Sequence, residues 1–123
     1  MRYLIALFIL FSCNNQNNRS DIDIKVDELL SKMTLKEKVG QMTQINLTVI
    51  AKGPTKWESS FPMEIDDKKA KKALIDFKVG SVLNTINNTA QKPSVWFENI
   101  SKIQQISMDG NPLGIPVIYG IDA

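Results

Sequence analysis

The sequence contains no histidine, and this absence removes several kinds of chemistry from these 123 residues. A Ser-His-Asp triad, a histidine metal site and an imidazole acid–base step all need that side chain. The single cysteine, Cys13, leaves no internal disulfide and no cysteine-rich zinc site. The glycines form neither G-x-G-x-x-G nor G-x-x-x-x-G-K-[ST], so the sequence also lacks these phosphate-binding loops.

The sequence also lacks a large excess of either positive or negative residues. Fifteen Lys and Arg residues against thirteen Asp and Glu residues give a net charge of +2. This charge is too small to act as a nucleic-acid footprint, so we expect no nucleic-acid partner. A hydrophobic content of 43% and a charged content of 23% exclude wholesale disorder, and the length fits one ordinary domain.

The apolar run over residues 4–11 is too short to cross a bilayer, which takes roughly 20 residues. A charged start, a short apolar core and a small residue at its end are typical of a secretory signal, which we predict over residues 1–12. The segment Leu10-Phe11-Ser12-Cys13 resembles the lipobox of bacterial lipoproteins. The resemblance implies a lipidated Cys13, a polar tether over residues 13–22, and an exported protein anchored in the bacterial cell envelope (periplasm or outer membrane). A buried N-terminal strand with Cys13 in the core remains the alternative.

Three helices are predicted before the first strand, each from apolar residues at helical spacing. The second begins with a capping box, Thr34-x-x-Glu37, in which each side chain satisfies a free amide of the first turn. Asp66 is the expected N-cap of the third. The inward residues are Val26, Leu29, Leu30 and Met33 in the first helix (residues 23–33), Leu35, Val39 and Met42 in the second, and Ala70, Ala73, Leu74 and Phe77 in the third.

Two strands are predicted, over residues 79–83 and 115–121, with a helix from Ser94 between them. That helix directs Trp96, Ile100, Ile103 and Ile106 inward. Apolar strands separated by helices indicate an α/β fold with a parallel sheet that is covered on both faces.

Polar side chains follow both predicted strands. Active sites of parallel α/β folds gather at the carboxyl ends of the strands, where Asn84 and Asp122 lie. Asp122 is the stronger candidate, because a carboxylate after a buried run must be hydrogen-bonded or face a ligand. A turn or cap role is the alternative for both residues. Trp57, in a loop, and Trp96 could stack on sugars, although Trp96 lies on an apolar helix face.

Three segments resemble motifs of family 3 glycoside hydrolases, and they occur in the family's order. Residues 33–44, MTLKEKVGQMTQ, resemble the opening "MTLEEKIGQM(T/L)Q". Residues 80–84, GSVLN, resemble the first barrel strand, "GSxLN". Residues 113–123, LGIPVIYGIDA, resemble "LGIPxIYGIDAVHG". The resemblance covers most of residues 26–123 and is to the β-glucosidase and exo-β-glucanase branch.

The resemblance implies a (β/α)8 TIM barrel preceded by N-terminal helices, of which residues 23–123 hold an incomplete first part with about two strands. It also implies that Asp122 hydrogen-bonds hydroxyls of a β-glucoside or β-glucan substrate. The nucleophile and the acid/base of the family lie outside this chain, so we expect no catalytic residue here, and neither a metal nor a cofactor. The full-length protein is expected to hydrolyse terminal β-D-glucosyl residues with retention, and this piece alone to be inactive. A small non-catalytic envelope lipoprotein that binds a ligand or partner at the strand ends is the alternative.

Overall fold

Helices and short strands alternate along the chain in a computed structural model, which describes residues 20–55, 58–85 and 89–122. A 3-10 turn, Leu47–Ile50, follows the first strand, and a π-helical turn, Lys72–Asp76, extends the third helix. The elements in chain order are α1 (Asp21–Lys32), α2 (Leu35–Gln41), β1 (Gln44–Asn46), α3 (Asp67–Lys71), β2 (Ser81–Leu83), α4 (Pro93–Gly110) and β3 (Ile118–Gly120).

Side-chain caps define where three of these helices begin. The predicted capping box is confirmed: the Glu37 carboxylate accepts from the Thr34 N–H at 2.8 Å, and the Thr34 hydroxyl oxygen accepts from the Glu37 N–H at 3.3 Å. Asp66 caps α3 as predicted, accepting from the Lys69 N–H at 2.9 Å. A second capping box, from Ser20, starts α1 at Asp21 rather than at Asp23.

The sheet has three parallel strands in the described residues, in the order β1-β2-β3, so the prediction of two strands was wrong. The missed strand, β1, pairs Ile45 with Val82. It is three residues long, and its first and last residues are polar and exposed. Such a segment carries no strand pattern of its own, and it becomes a strand because β2 supplies its hydrogen-bonding partners.

Two glycines allow α2 to approach the start of β2 closely. The Gly80 N–H donates to the Gly40 carbonyl at 2.9 Å. A Cβ atom on Gly80 would collide with the backbone of Gln41, and one on Gly40 would collide with the backbone of Lys78. This contact between main chains sets the position from which β2 runs toward its carboxyl end.

The core lies where α3, α4 and the segment after β1 meet the sheet. Ile103 of α4 is fully buried, and Trp96, Ile100 and Ile106 are packed against the core, as predicted. The Trp96 ring meets the Tyr119 ring edge-on, with centroids 5.3 Å apart. The largest fully buried side chains are Leu47, Ile50, Met63, Ile65, Ile103 and Val82.

A buried amide joins α4 to the segment before α3. Asn99 accepts from the Ile65 N–H at 2.9 Å and donates to the carbonyls of Met63 at 3.0 Å and Val95 at 2.8 Å. The Lys102 ammonium donates to the Ile65 carbonyl at 3.1 Å and pairs with Asp67 at 2.6 Å, which holds the pKa of Asp67 below its ordinary value. Side-chain amide and ammonium groups of α4 thus complete the hydrogen bonding of this segment, whose other main-chain groups bond to residues 50–52.

Side chains of α4 also fix the approach to β3. The Gln104 amide accepts from the Val117 N–H at 3.0 Å and donates to the Val117 carbonyl at 2.6 Å. The Ser107 hydroxyl donates to the Ile115 carbonyl at 3.0 Å. Residues 115–117, predicted as strand, therefore bond to a helix, and the strand itself begins at Ile118.

Several apolar faces that were predicted to be inward are exposed. Helix α1 has no buried residue, and Leu35 of α2 is 77% exposed, Phe77 58% and Ile118 of β3 70%. Within the described ranges, no element packs over these faces. The helices and the strand are therefore amphipathic, but their apolar faces are not covered. The exposed residues of the predicted inner faces are Val26, Leu29, Leu30, Leu35, Val39, Met42, Phe77, Ile118 and Ile121.

An open apolar groove of about 770 Å³ lies between α2 and α3, and we call it the α2–α3 groove. Lysine stems from both helices line it together with apolar side chains. Its lining includes Leu35, Lys36, Val39, Ile45, Val49, Lys69, Lys72, Phe77 and Val79. Among the helices described here, none is long and apolar enough to cross a bilayer.

Candidate functional site

The three strands run in the same direction, so their carboxyl ends lie at one edge of the sheet. Asn84 directly follows β2, and Asp122 comes shortly after β3. Because β2 and β3 are neighbours, the two residues that the sequence singled out meet at this edge. The predicted positions are therefore brought together in space.

Asn84 and Asp122 form two hydrogen bonds across the strand ends. The Asn84 Nδ2 donates to Oδ2 of Asp122 at 3.0 Å, and the Asn84 Oδ1 accepts from the Asp122 N–H at 2.9 Å. One amide group thus holds both the carboxylate and the main chain of the same residue. We call this pair the Asn84–Asp122 clamp.

The backbone of Asn84 is held as well. Its φ of +66° is left-handed, a conformation that asparagine adopts more readily than most residues. Its N–H donates to the Gly120 carbonyl at 2.9 Å, and its carbonyl accepts a longer bond of 3.4 Å from the Tyr119 hydroxyl. Burial raises the pKa of Tyr119, so its phenol remains a protonated donor through neutral pH.

An open pocket of about 330 Å³ surrounds the clamp, lined by Asn84, Thr85, Ile121 and Asp122. The Asp122 residue is exposed. Its Oδ2 is engaged by Asn84, whereas no donor within the described residues reaches Oδ1. A carboxylate placed in this way can accept hydrogen bonds from the hydroxyl groups of a ligand.

The end of β1 contributes differently from the ends of its neighbours. Asn46 turns its side chain back on its own chain, where Oδ1 accepts from the Thr48 N–H at 3.0 Å and from the Thr48 hydroxyl at 2.6 Å. This asparagine caps the 3-10 turn and helps the chain leave the sheet. The polar site is therefore built at the ends of β2 and β3.

Other residues that the sequence raised as candidates do not contribute to this site. Trp96 packs against the core, with its ring edge-on to that of Tyr119. Trp57 and Cys13 lie outside the described residues, so the proposed lipidation of Cys13 stays a prediction. In the described part of the chain, no three His, Cys, Asp or Glu side chains cluster as metal ligands would.

Comparison with known proteins connects this segment to a sugar-cleaving enzyme. The chain is 34% identical over 121 residues to a lysosomal beta glucosidase from Dictyostelium discoideum. The match covers 89% of this chain but 13% of that protein, so the chain spans about an eighth of the relative's length. No protein-family model matches the chain. The chain is related to a glycosidase over this segment.

The pairing of Asn84 with Asp122 is the feature of the candidate site that the sequence did not predict. Both residues could be placed at strand ends, but their pairing depends on the register between β2 and β3, in which Leu83 lies opposite Gly120. The available signal was the occurrence of a polar residue soon after each of two strands predicted to be neighbours.

Proposed function

We propose that this chain is the first part of the (β/α)8 barrel of a family 3 glycoside hydrolase of the β-glucosidase type. In this proposal the longer protein hydrolyses terminal, non-reducing β-D-glucosyl residues with retention of configuration. Three motif resemblances in the family's order support the proposal, as does the 34% identity to a named beta glucosidase. The parallel strands and intervening helices are compatible with the start of such a barrel.

The observation that carries the proposal is the exposed Asp122 carboxylate at the carboxyl end of a parallel strand. Barrel enzymes place their active sites at that end of the strands. A carboxylate can accept hydrogen bonds from two neighbouring sugar hydroxyls and so discriminate one epimer from another. Asp122 would bind and orient the glucosyl unit at the site of cleavage, and its hydrogen bonds would strengthen as the transition state forms.

The groups that break the bond are proposed to come from outside this chain. Retaining hydrolysis needs a nucleophile and an acid/base, with carboxyl groups about 5–5.5 Å apart. The nucleophile attacks the anomeric carbon while the acid protonates the leaving oxygen, and water then releases the sugar. The family resemblance assigns the nucleophile to a later strand of the barrel and the acid/base to the following domain.

The open surfaces of this segment support a larger barrel. Within the described sheet, β1 and β3 each have a partner on one side. Apolar side chains at the α2–α3 groove and on β3 are exposed, including Leu35 and Ile118. Further strands pairing with β1 and β3, and a helix seated in the groove, would bury these surfaces as barrel closure requires.

The activity is tested with the protein expressed from its complete reading frame and an aryl β-glucoside as substrate. We expect hydrolysis, with NMR of the first product showing the β-anomer. Asp122→Asn should lower kcat/KM about 100-fold, the effect of losing a charged hydrogen bond of ~3 kcal/mol. The matched control is Asp109→Asn. Asp109 lies at the end of α4, before the chain enters β3 and therefore away from the carboxyl ends of the strands, so this variant should keep wild-type kinetics.

Three results would contradict the proposal: no hydrolysis of any aryl β-glycoside, the α-anomer as first product, or an unchanged kcat/KM for Asp122→Asn. The 123-residue chain alone gives a further check, because it should show no hydrolysis above background. Clear activity from that purified chain would show that the bond-breaking groups had been assigned to the wrong part of the protein.

We also propose that Cys13 is lipidated and anchors the exported protein in the bacterial cell envelope, after removal of residues 1–12. The lipobox resemblance and the polar composition of residues 14–20 support this proposal. Two or three acyl chains would give stable anchoring where one is marginal. Cys13→Ala should move the protein from the membrane fraction to the soluble fraction and abolish incorporation of labelled fatty acid. An unchanged distribution would exclude the anchor.

A further inference from the structure

The Asn84–Asp122 clamp constrains a carboxylate more tightly than one hydrogen bond would. A single donor would leave the Asp122 side chain able to swing about the bond that it accepts. Here one amide binds Oδ2 at 3.0 Å and the Asp122 main-chain N–H at 2.9 Å. The carboxylate is therefore fixed relative to its own backbone, and its orientation is set before any ligand arrives.

The amide that forms the clamp is itself immobilised by the strand next to it. Its residue has a left-handed φ of +66°, which directs the chain out of β2. The Asn84 N–H is bonded to Gly120 at 2.9 Å, and Gly120 is the last residue of β3. The clamp thus rests on the register of two paired strands, whose main chains hydrogen-bond to each other at this edge.

The clamp engages one oxygen of the Asp122 carboxylate and leaves the other available. Oδ2 is engaged by Asn84, no described residue donates to Oδ1, and Asp122 lines the open pocket. Because the Asn84 amide is an uncharged donor, it does not offset the negative charge of the carboxylate. That charge strengthens the hydrogen bonds that the carboxylate accepts from hydroxyl groups. This division of the two oxygens is what a carboxylate that is oriented for a ligand requires.

We propose that Asn84 is a positioning residue for ligand binding: it holds the Asp122 carboxylate in the orientation that receives a sugar hydroxyl at Oδ1. The identity of the ligand rests on the proposed β-glucosidase function, whereas the clamp does not. Asn84 acts through Asp122 and does not itself take part in breaking the bond. Displacement of a positioning group by about 1 Å can cost about 100-fold in rate, so the clamp has a measurable kinetic consequence.

Two variants separate the side chain of Asn84 from its backbone. Asn84→Gly keeps the left-handed backbone without strain and removes both clamp bonds. Lys78→Gly is its matched control, because Lys78 also has a positive φ, of 59°, and lies before β2, away from the clamp. In the protein expressed from its complete reading frame, we expect Asn84→Gly to lower kcat/KM for the aryl β-glucoside by about 10- to 100-fold. Lys78→Gly should remain within about twofold of wild type.

A double-mutant cycle tests whether Asn84 acts through Asp122. Asn84→Gly should cost little in a protein that already carries Asp122→Asn, because no carboxylate remains to be positioned. Additive losses from the two substitutions would overturn the proposal. So would a wild-type kcat/KM for Asn84→Gly in an active enzyme.

Asn84→Asp supplies a readout that a purely structural role would not move. It replaces the donor at Oδ2 with a second carboxylate, and the titratable groups that the described structure places here are Asp122 and Tyr119. Two adjacent carboxylates raise the pKa of one of them, and the introduced carboxyl group, once protonated, can again donate to Oδ2. The loss of kcat/KM in Asn84→Asp, relative to the wild type at the same pH, should therefore become smaller as the pH falls. A loss that does not change with pH would contradict the proposal.

Crystal structures of the wild type and Asn84→Gly give a result that is independent of activity. In the variant, the Asp122 carboxylate should leave its wild-type rotamer or occupy more than one. An unchanged carboxylate would overturn the positioning role even if the enzyme is active. Conversely, a displaced carboxylate in a protein that cleaves no β-glycoside would support the clamp and reject the proposed function.

Discussion

The side of the molecule around α4 and the side around the α2–α3 groove both carry large apolar side chains but differ in what covers them. Around α4, Ile65 and Ile103 are buried, and Asn99 satisfies the main chain that crosses the helix. At the groove, Leu35 at the start of α2 and Phe77 just after the π-helical turn remain exposed. The spacing of apolar residues along a helix therefore indicates which face will be buried. It does not indicate whether the element that buries this face lies in the same segment of chain.

The largest effect on the α4 side is expected for Asn99→Leu. The substitution leaves the buried Ile65 N–H and the Met63 carbonyl without a partner, and each buried unsatisfied group costs about 1–3 kcal/mol. We expect the free energy of unfolding, measured by chemical denaturation, to fall by about 3 kcal/mol. Glu98→Gln, at the exposed neighbouring position, should change it by less than about 0.5 kcal/mol. A loss below about 1 kcal/mol for Asn99→Leu would show that water can replace the amide.

The difference between the two sides also separates what the sequence predicted from what it did not. The Thr34–Glu37 capping box and the Asp66 cap were predictable because each depends on residues three positions apart. Strand β1 was not, because Gln44–Asn46 is extended only through its pairing with β2. The burial of Asn99 was missed for the same reason, since it requires residues 63–65 to pass over α4.

The candidate site follows the same division between local and non-local information. The positions of Asn84 and Asp122 at strand ends could be inferred from local pattern, and both lie there. Their mutual hydrogen bonds could not be inferred, because residues 38 positions apart meet only through the strand register. The assignment of Asp122 to substrate binding came from family resemblance, and it stays a prediction until the kinetics are measured.

An intermediate effect is expected at the α2–α3 groove, where Leu35→Ser tests the proposed barrel. In the protein expressed from its complete reading frame, we expect further helices to cover Leu35, so the substitution should lower the free energy of unfolding by about 1–3 kcal/mol. Ile22→Ser is the matched control: Ile22 of α1 is 71% exposed against 77% for Leu35, and it does not line the groove. Equal, negligible effects of the two substitutions would mean that the groove remains open to solvent.

The smallest effect on stability is expected at the start of α2, which borders the groove and begins with the Thr34–Glu37 capping box. The N–H and hydroxyl of Thr34 both donate to the Glu37 carboxylate at 2.8 Å, and these bonds hold the pKa of Glu37 below its ordinary value. A carboxyl group whose pKa is lowered by folding stabilises the folded state above its unfolded pKa. That contribution is lost as the pH falls through the lower, folded value.

Measurement of the Glu37 carboxyl by ¹³C NMR titration should therefore give a pKa below that of glutamate in a model peptide. Thr34→Ala removes the hydroxyl donor but keeps the backbone donor, so it should shift the pKa only part of the way back. Glu37→Gln preserves an acceptor for the capping box and cannot titrate, so its stability should vary less between pH 7 and pH 3 than that of the wild type. An ordinary pKa for Glu37, unaffected by Thr34→Ala, would mean that the capping box is not maintained in solution. The inner face of α2 would then need tertiary contacts at the groove, rather than its own cap, to hold the helix in place.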